Sequence, residues 1–217
     1  DSMFVSKIFD WYLSEVSQAQ LSGQWQAADE VADMIDTYQR ARSNVTLMSK
    51  QTVSAELLYN RLNVFGCSSK LSLIWGISFL LLSVLAYFRR TKALRYLSTA
   101  CLVLIVLSFV FHTFGIGMRW YISGQAPWSN AYESMVYVGW AAALAGLLFM
   151  RRSRIAVALA TVLAGLILFV ANLNWMDPEI TPLVPVLKSY WLMLHVAVIT
   201  ASYGFFGMSF LLGLTSM

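Results

Sequence analysis

Five long apolar runs constrain this chain more than any other feature of its sequence. They cover residues 71–88, about 97–118, about 134–150, 155–173 and 190–214. Each is close to the roughly 20 residues that a helix needs to cross the hydrocarbon core of a bilayer. Because the backbone finds no water there, an open chain can cross only as a helix. The runs predict an all-α, polytopic membrane protein, with a five-span transmembrane domain at residues 71–217.

The composition supports a bilayer as the main partner of this chain. Charged residues make up 12% of the 217 residues and hydrophobic residues 59%, whereas a soluble domain is about a quarter charged. The net charge of +4 does not indicate nucleic acid, because the basic residues lie in short clusters beside the apolar runs. Cys67 and Cys101 form no Cys-x-x-Cys pattern, so neither a disulfide nor a metal site is indicated.

Residues 1–70 form a more polar segment. Apolar residues recur at helical spacing in FVSKIFDWYLSEV, in WQAADEVADMIDTYQRA and in VSAELLYNRLNVF. Gly23 and the pair Ser43–Asn44 fall between these stretches as breaks. We therefore predict three helices in a domain at residues 1–70, with its aromatic side chains in a small helical core.

The basic residues predict the orientation of the spans. Two short connections carry basic clusters without any acidic residue, namely Arg89, Arg90, Lys92 and Arg95, and then Arg151, Arg152 and Arg154. Short basic connections stay on the cytoplasmic side. Residues 1–70 and the loops at 119–133 and 174–189 then lie outside. An outer segment that no signal sequence precedes predicts an earlier span, so we expect the chain to be part of a longer protein.

The two outer loops are rich in aromatic and polar residues. RWYISGQAPWSNAYES follows the second span, and NWMDPEITPLVPVLKS follows the fourth. Their aromatic residues fit the belt that membrane proteins place at the lipid headgroups. They equally fit a surface for a flat, largely apolar ligand with a few polar groups around it. The residues alone leave both interpretations open.

Both histidines lie within spans near the outer side. His112 is about 10 Å below Arg119, and His195 is about 8 Å below Tyr190, at 1.5 Å per residue. Ionisable side chains within spans usually face the bundle interior or a cavity. Either residue could make a hydrogen bond between helices or serve as an axial ligand of haem iron. For His112 the hydrogen bond is the favoured interpretation.

Two motifs resemble the CcsA/ResC family of cytochrome c biogenesis proteins. The first, RWYISGQAPWSNAYESMVYVGWA, carries Gly124, Pro127, Ser129, Tyr132, Glu133 and Ser134. The second, PLVPVLKSYWLMLHVAVITASYGFF, carries Ser189, Trp191, Leu192, His195 and Tyr203. AELLYNRLNVF and the helices before it resemble the fused form, in which a CcsB-like half precedes the CcsA-like half. The resemblance covers roughly residues 55–217.

This resemblance implies a function in cytochrome c maturation. Members of the family deliver haem to the outer face of the bacterial inner membrane and attach it covalently to the Cys-x-x-Cys-His motif of apocytochrome c. Two external histidines hold the haem iron and flank a tryptophan-rich segment, the WWD box. His195 is similar to the first of these histidines. The second histidine and the box are absent from these 217 residues, so we expect at most half a haem site here and no activity from this piece alone.

The candidate site residues follow from the resemblance and from the outer loop. His195 is the expected axial ligand of haem b, and Trp120, Trp128, Tyr132 and Trp191 are weaker candidates for haem contact. Arg119 and Glu133 are expected to be polar anchors that could pair. His112 is a further candidate iron ligand without a counterpart in the family pattern. No catalytic side chain is expected, because the reacting thiols belong to apocytochrome c.

Two other functions remain open. The protein could transport haem or another amphipathic molecule without chemistry, or it could be a membrane scaffold that recruits apocytochrome c through residues 1–70. A tryptophan-rich box and another external histidine would favour haem attachment, and bound haem would favour either haem function over the scaffold.

The predicted orientation can be tested with single cysteines. Cysteines placed at Ser43 and Asp177 should react with a membrane-impermeant thiol reagent in intact cells, because both positions are predicted to lie outside. A cysteine placed at Ser153 should stay unlabelled. The opposite pattern would invert the topology and separate the aromatic loops from the outer face.

Overall fold

The computed structural model describes residues 2–43, 48–89, 91–173, 175–180 and 189–216. This part of the chain contains eight helices and no strand. The helices are α1 (Ser2–Ser22), α2 (Gln26–Arg42), α3 (Lys50–Leu62), α4 (Val64–Phe88), α5 (Lys92–Ser123), α6 (Ala131–Leu148), α7 (Arg154–Ala171) and α8 (Tyr190–Ser216). Five stretches are long and apolar enough to cross a membrane, namely α3 with α4, α5, α6, α7 and α8. The prediction of an all-α, multi-pass membrane protein is confirmed.

The first compact unit spans Asp1–Ser49 and holds α1 and α2. Gly23 ends α1 with a φ of 75°, a left-handed conformation that glycine adopts without a steric cost. The two helices then pack together, with Ala19, Ala28 and Val31 buried. The first two predicted helices and the break at Gly23 are therefore present. Asn44, part of the second predicted break, lies outside the described residues.

The second compact unit spans Lys50–Met217, so α3 belongs with the spanning helices. The stretch VSAELLYNRLNVF does not form one helix, because Asn63 takes a φ of 41° and separates α3 from α4. Val64 and Phe65, expected at the end of the third helix, instead begin α4 and are each only 2% exposed. Both side chains pack against Gly115 of α5, where an added Cβ would lie 2.6 Å from the Val64 Cγ1. The assignment of residues 1–70 to the outer face stays a prediction.

Small residues set the distances between the spanning helices. Helix α7 packs against α4, α6 and α8, and its alanines at 156, 158, 160 and 164 are buried. Small side chains let helix backbones approach closely, which is how helices associate in a membrane. Between α4 and α7, the Ser69 hydroxyl donates to the Gly165 carbonyl over 3.0 Å. The packing therefore fixes which residues meet at each end of the bundle.

Gly204 provides a test of the α6–α8 contact. A Cβ at this position would lie 2.7 Å from the Ala142 nitrogen and 2.8 Å from the Val138 oxygen, both of them backbone atoms. We expect Gly204→Val to lower the free energy of unfolding by about 1–3 kcal/mol, the usual cost of overpacking. Thermal unfolding of the purified protein in detergent would measure it.

The matched control is Gly213→Val in the same helix. A Cβ at Gly213 meets no atom within 4 Å, so it changes helix propensity alone. Equal destabilisation by the two variants would contradict a close α6–α8 contact at Gly204.

Candidate functional site

A buried ion pair joins the end of α5 to the start of α6. Arg119 is 1% exposed and Glu133 is 4% exposed. The Arg119 Nε donates to Glu133 Oε1 over 2.7 Å. An unpaired charge inside a protein or a bilayer is costly, so each residue requires the other. The structure thus pairs the two residues that the sequence indicated as polar anchors.

The remaining donors of Arg119 hold two further parts of the chain. Nη1 donates to the Pro178 carbonyl over 2.8 Å, and Nη2 donates to the Glu179 carbonyl over 2.9 Å. Nη1 also lies 3.4 Å from the Tyr59 hydroxyl of α3. The guanidinium carbon sits 5.3 Å from the centroid of the Tyr132 ring, a cation–π distance. These contacts occupy the guanidinium group, so it is not free to bind the carboxylate of a ligand.

The Glu133 carboxylate organises the loop between α5 and α6. Its Oε2 accepts hydrogen bonds from the Ser129 backbone nitrogen and from the Ser129 hydroxyl, each over 2.8 Å. Asn130 caps α6, because its Oδ1 accepts from the Glu133 nitrogen over 2.8 Å. Gly124 ends α5 with a φ of 66°. The loop is therefore held at both ends, and it is short because the chain turns sharply at Gly124.

An aromatic ladder runs from this loop along the α5–α6 contact. Its rings are those of Trp120, Trp128, Tyr137, Trp140 and Phe109. Successive ring centroids are 5.7, 5.0, 5.6 and 5.7 Å apart, within the range of favourable aromatic contacts. Two predicted site residues, Trp120 and Trp128, thus form the end of the ladder at the loop. Trp120 is half exposed, whereas the Trp128 Nε1 is buried without a partner among the described residues.

Tyr132 lies apart from the ladder, in the core. It is 5% exposed, and its ring centroid is 6.2 Å from that of Phe65. Both rings line a cavity of about 520 Å³ between α3, α4, α6 and the segment after α7. Other residues of the wall include Glu56, Asn60, Asn63 and Asn172. Tyr132 is therefore a packing residue with one edge on a polar cavity.

His195 and Trp191 occupy the unpacked face of α8. The packed face presents Ala197, Thr200, Gly204 and Met208 to the bundle at helical spacing. His195 is exposed on the opposite side, and Trp191 is 76% exposed. Val198, one turn along, continues a shallow apolar surface beside the histidine. Lys188 and the rest of PLVPVLK, residues 182–188, lie outside the described residues.

His112 has different surroundings. It is 3% exposed, and its ring centroid is 5.6 Å from that of Phe65. The ring also lies against the Val136 backbone, while Nε2 has no hydrogen-bond partner in the described part of the chain. Within the same residues, no three His, Cys, Asp or Glu side chains lie close enough to hold a metal ion. Within the described residues, His112 and His195 make neither a ring contact nor a hydrogen bond with each other.

Sequence reasoning did not identify the partners of the ion pair beyond the loop. Tyr59, Pro178 and Glu179 lie about 60 residues from Arg119 in the chain, and no local pattern links them. One local signal was available, since Asn130 and Glu133 have the spacing of a helix N-cap and its third residue. That spacing marks the start of α6 and shows that Glu133 belongs to a capping arrangement.

Several known proteins are similar to this chain. Residues 128–217 match the family model described as cytochrome C assembly protein. The chain is 44% identical over 184 residues to protein NrfI of Wolinella succinogenes, covering 85% of this chain and 20% of NrfI. It is 41% identical over 112 residues to cytochrome c biogenesis protein CcsA of Prochlorococcus marinus, covering 49% of this chain and 35% of that protein. For CcsA of Trieres chinensis the identity is 34% over 143 residues, covering 61% and 44% respectively. The chain thus spans from a fifth to less than half of the length of each of these relatives.

Neutralising one member of the ion pair should strongly destabilise the protein. We expect Glu133→Gln to cost about 3–5 kcal/mol, because Arg119 would remain buried and uncompensated. The double variant Arg119→Gln/Glu133→Gln should cost less than the sum of the single variants, since it removes both charges. Thermal or denaturant unfolding in detergent would give the four free energies of the cycle.

Glu179→Gln is the control for the loss of a carboxylate. Only the backbone carbonyl of Glu179 contacts Arg119, so this variant should unfold like the wild type. Additive effects of Arg119→Gln and Glu133→Gln would show that the two charges do not depend on each other.

Proposed function

Because the chain belongs to the CcsA-type cytochrome c biogenesis proteins, we propose that it functions in cytochrome c maturation. It would help deliver haem b to the outer face of the bacterial inner membrane and position it for covalent attachment to apocytochrome c. A CcsB-like half of the same protein would be a further partner. The basic ends of the spans would then face the cytoplasm and the aromatic loop would face the periplasm.

The observation that carries this proposal is the placement of His195. It lies within residues 128–217, the part that matches the cytochrome c assembly family. It is exposed on α8, about a turn and a half from the start of the helix at Tyr190. Its imidazole is therefore accessible to a metal centre, and imidazole is a common axial ligand of haem iron.

The neighbours of His195 suit the rest of a haem molecule. Trp191 and Val198 lie on the same exposed face and offer an apolar surface beside the imidazole. A porphyrin ring is flat and largely apolar, and such ligands bind to aromatic and aliphatic walls with a few fixed polar groups. One helix supplies one wall only, so other parts of the protein would have to complete the site.

Covalent attachment of haem depends more on the positioning of the reactants than on a reactive side chain of the protein. Each thioether forms when a thiol of the Cys-x-x-Cys-His motif adds across a vinyl group of haem. The sulfur bonds to one vinyl carbon and the thiol hydrogen ends on the other, so the addition is balanced without an oxidant or reductant. The protein contributes by holding haem and peptide in one orientation. His195 would hold the haem through its iron.

The ion-pair layer has a supporting role in this proposal. The contacts of Arg119 and Glu133 are filled by side chains and backbone groups of the chain itself. They therefore stabilise the outer loops and do not bind substrate. The exposed Trp120 at the end of the aromatic ladder is the better candidate there for contact with haem or with apocytochrome c.

Replacing His195 tests the proposal directly. In the full-length protein, His195→Ala should weaken haem retention, shift the haem absorption spectrum and severely reduce cytochrome c maturation. Added imidazole should restore part of the activity, because it can supply the missing nitrogen at the iron. His195→Gly should respond at least as well, since it leaves more space. Haem spectra of the purified protein and haem staining of the matured cytochrome would measure both effects.

His112→Ala is the matched control, since it removes the other imidazole from the chain. It should retain haem, because His112 is buried against Phe65 and is not accessible to a ligand, and its effect should be a loss of stability. Haem loss in a well-folded His112→Ala protein would make His112 a ligand instead. Normal haem binding and maturation in His195→Ala would falsify the proposed role of His195, and haem binding without attachment by the wild type would favour transport.

A further inference from the structure

We propose that the end of the bundle opposite the aromatic loop binds the phosphate headgroup of an anionic phospholipid. A crevice of about 530 Å³ lies there between the end of α4, the start of α5 and the start of α7. We call it the basic crevice, and four basic residues line it, namely Arg89, Lys92, Arg95 and Arg154. This inference does not depend on the function proposed above.

In the part of the chain that the structure describes, the basic side chains of the crevice have no acidic side chain beside them to neutralise their charge. In the sequence, Glu133 is the one acidic residue between positions 57 and 176, and it is committed to Arg119 at the other end of α5. Among the described residues, none of the four basic side chains takes part in an ion pair. Because like charges repel, this arrangement favours the binding of an anion from outside the chain.

The orientation of two helices adds to the preference for an anion. Thr91 caps α5 and Ser153 caps α7, and both residues line the basic crevice. The N-terminus of a helix carries partial positive charge and favours phosphate groups. The basic side chains come from connections about 60 residues apart in the sequence. The rule that basic loops stay inside explains the charge of each connection, but it does not require them to converge on one crevice.

A second cavity next to the basic crevice favours a lipid over a free phosphate. This cavity, of about 160 Å³, shares Arg154 with the crevice and is lined by Phe79, Leu102, Met150 and Val157. Ser98 also lines it, is 3% exposed, and has a hydroxyl with no partner in the described part of the chain. A buried hydroxyl without a partner is unfavourable. A phospholipid would place its phosphate in the crevice, an ester carbonyl at Ser98 and the start of an acyl chain on the apolar wall.

Lipid retention by the purified protein tests this site. Dioleoyl phosphatidylglycerol is titrated against dioleoyl phosphatidylcholine, and bound lipid is counted by native mass spectrometry in detergent. The wild type should retain phosphatidylglycerol selectively. Arg89→Gln/Arg154→Gln should weaken that retention by roughly tenfold or more, because each basic residue adds to the attraction. Ser98→Ala should weaken it by a smaller factor.

The matched control is Arg151→Gln/Arg152→Gln. It removes the same number of positive charges, both from the connection before Arg154, but neither residue lines the crevice, so it should retain phosphatidylglycerol like the wild type. If Arg89→Gln/Arg154→Gln does not fold, Lys92→Gln/Arg95→Gln replaces it with the same expectation.

An equal loss of phosphatidylglycerol retention in the control would show that the effect depends on overall charge alone, and it would overturn the proposal. Equally strong binding of inorganic pyrophosphate would show a free-anion site and also overturn it, as would unchanged lipid retention in Arg89→Gln/Arg154→Gln.

Discussion

The buried contact between Arg119 and Glu133 holds together the aromatic end of this protein. Each charge would be costly without the other in a low-dielectric interior. Their hydrogen bonds fix the loop between α5 and α6 and bind the segment after α7. Tyr59 brings α3 into the same network. Three parts of the chain that are distant in sequence are thus positioned by one arginine and one glutamate.

The network also separates the aromatic residues into two groups with different roles. Tyr132 lies under the guanidinium group and packs on Phe65. Trp120 and Trp128 lie on the other side, where they begin the ladder along α5 and α6. An aromatic belt at the headgroups accounts for the exposed Trp120, but it does not account for the stacked rings that continue below it. The ring contacts of the ladder join α5 to α6.

The two histidines illustrate how burial divides structural from functional candidates. His112 is enclosed by Phe65 and by the Val136 backbone, so any ligand would have to displace packed residues to reach it. His195 lies on the face of α8 that the bundle leaves open, beside apolar side chains. A site for a large flat ligand needs an accessible imidazole, and only His195 has that geometry within the described residues.

The sequence by itself determined the number and kind of the helices and the chemistry of the two ends of the bundle. A run of about 20 apolar residues has no alternative to a helix in lipid, and the break at Gly23 follows from the backbone freedom of glycine. The candidate residues Arg119 and Glu133 were also visible, because they are the two charged residues of the loop at 119–133.

The tertiary structure alone decided that Asn63 divides α3 from α4. It decided that Arg119 binds the carbonyls of Pro178 and Glu179. It also decided that Tyr132 and Trp128 face different neighbours. It also decided that basic residues from two connections line one crevice. The contacts of Arg119 and the basic crevice join positions about 60 residues apart. Such contacts depend on how closely small residues such as Gly204 and Ala160 let the helices approach. Local sequence patterns carry no information on that distance, because it is set by the packing of all the helices together.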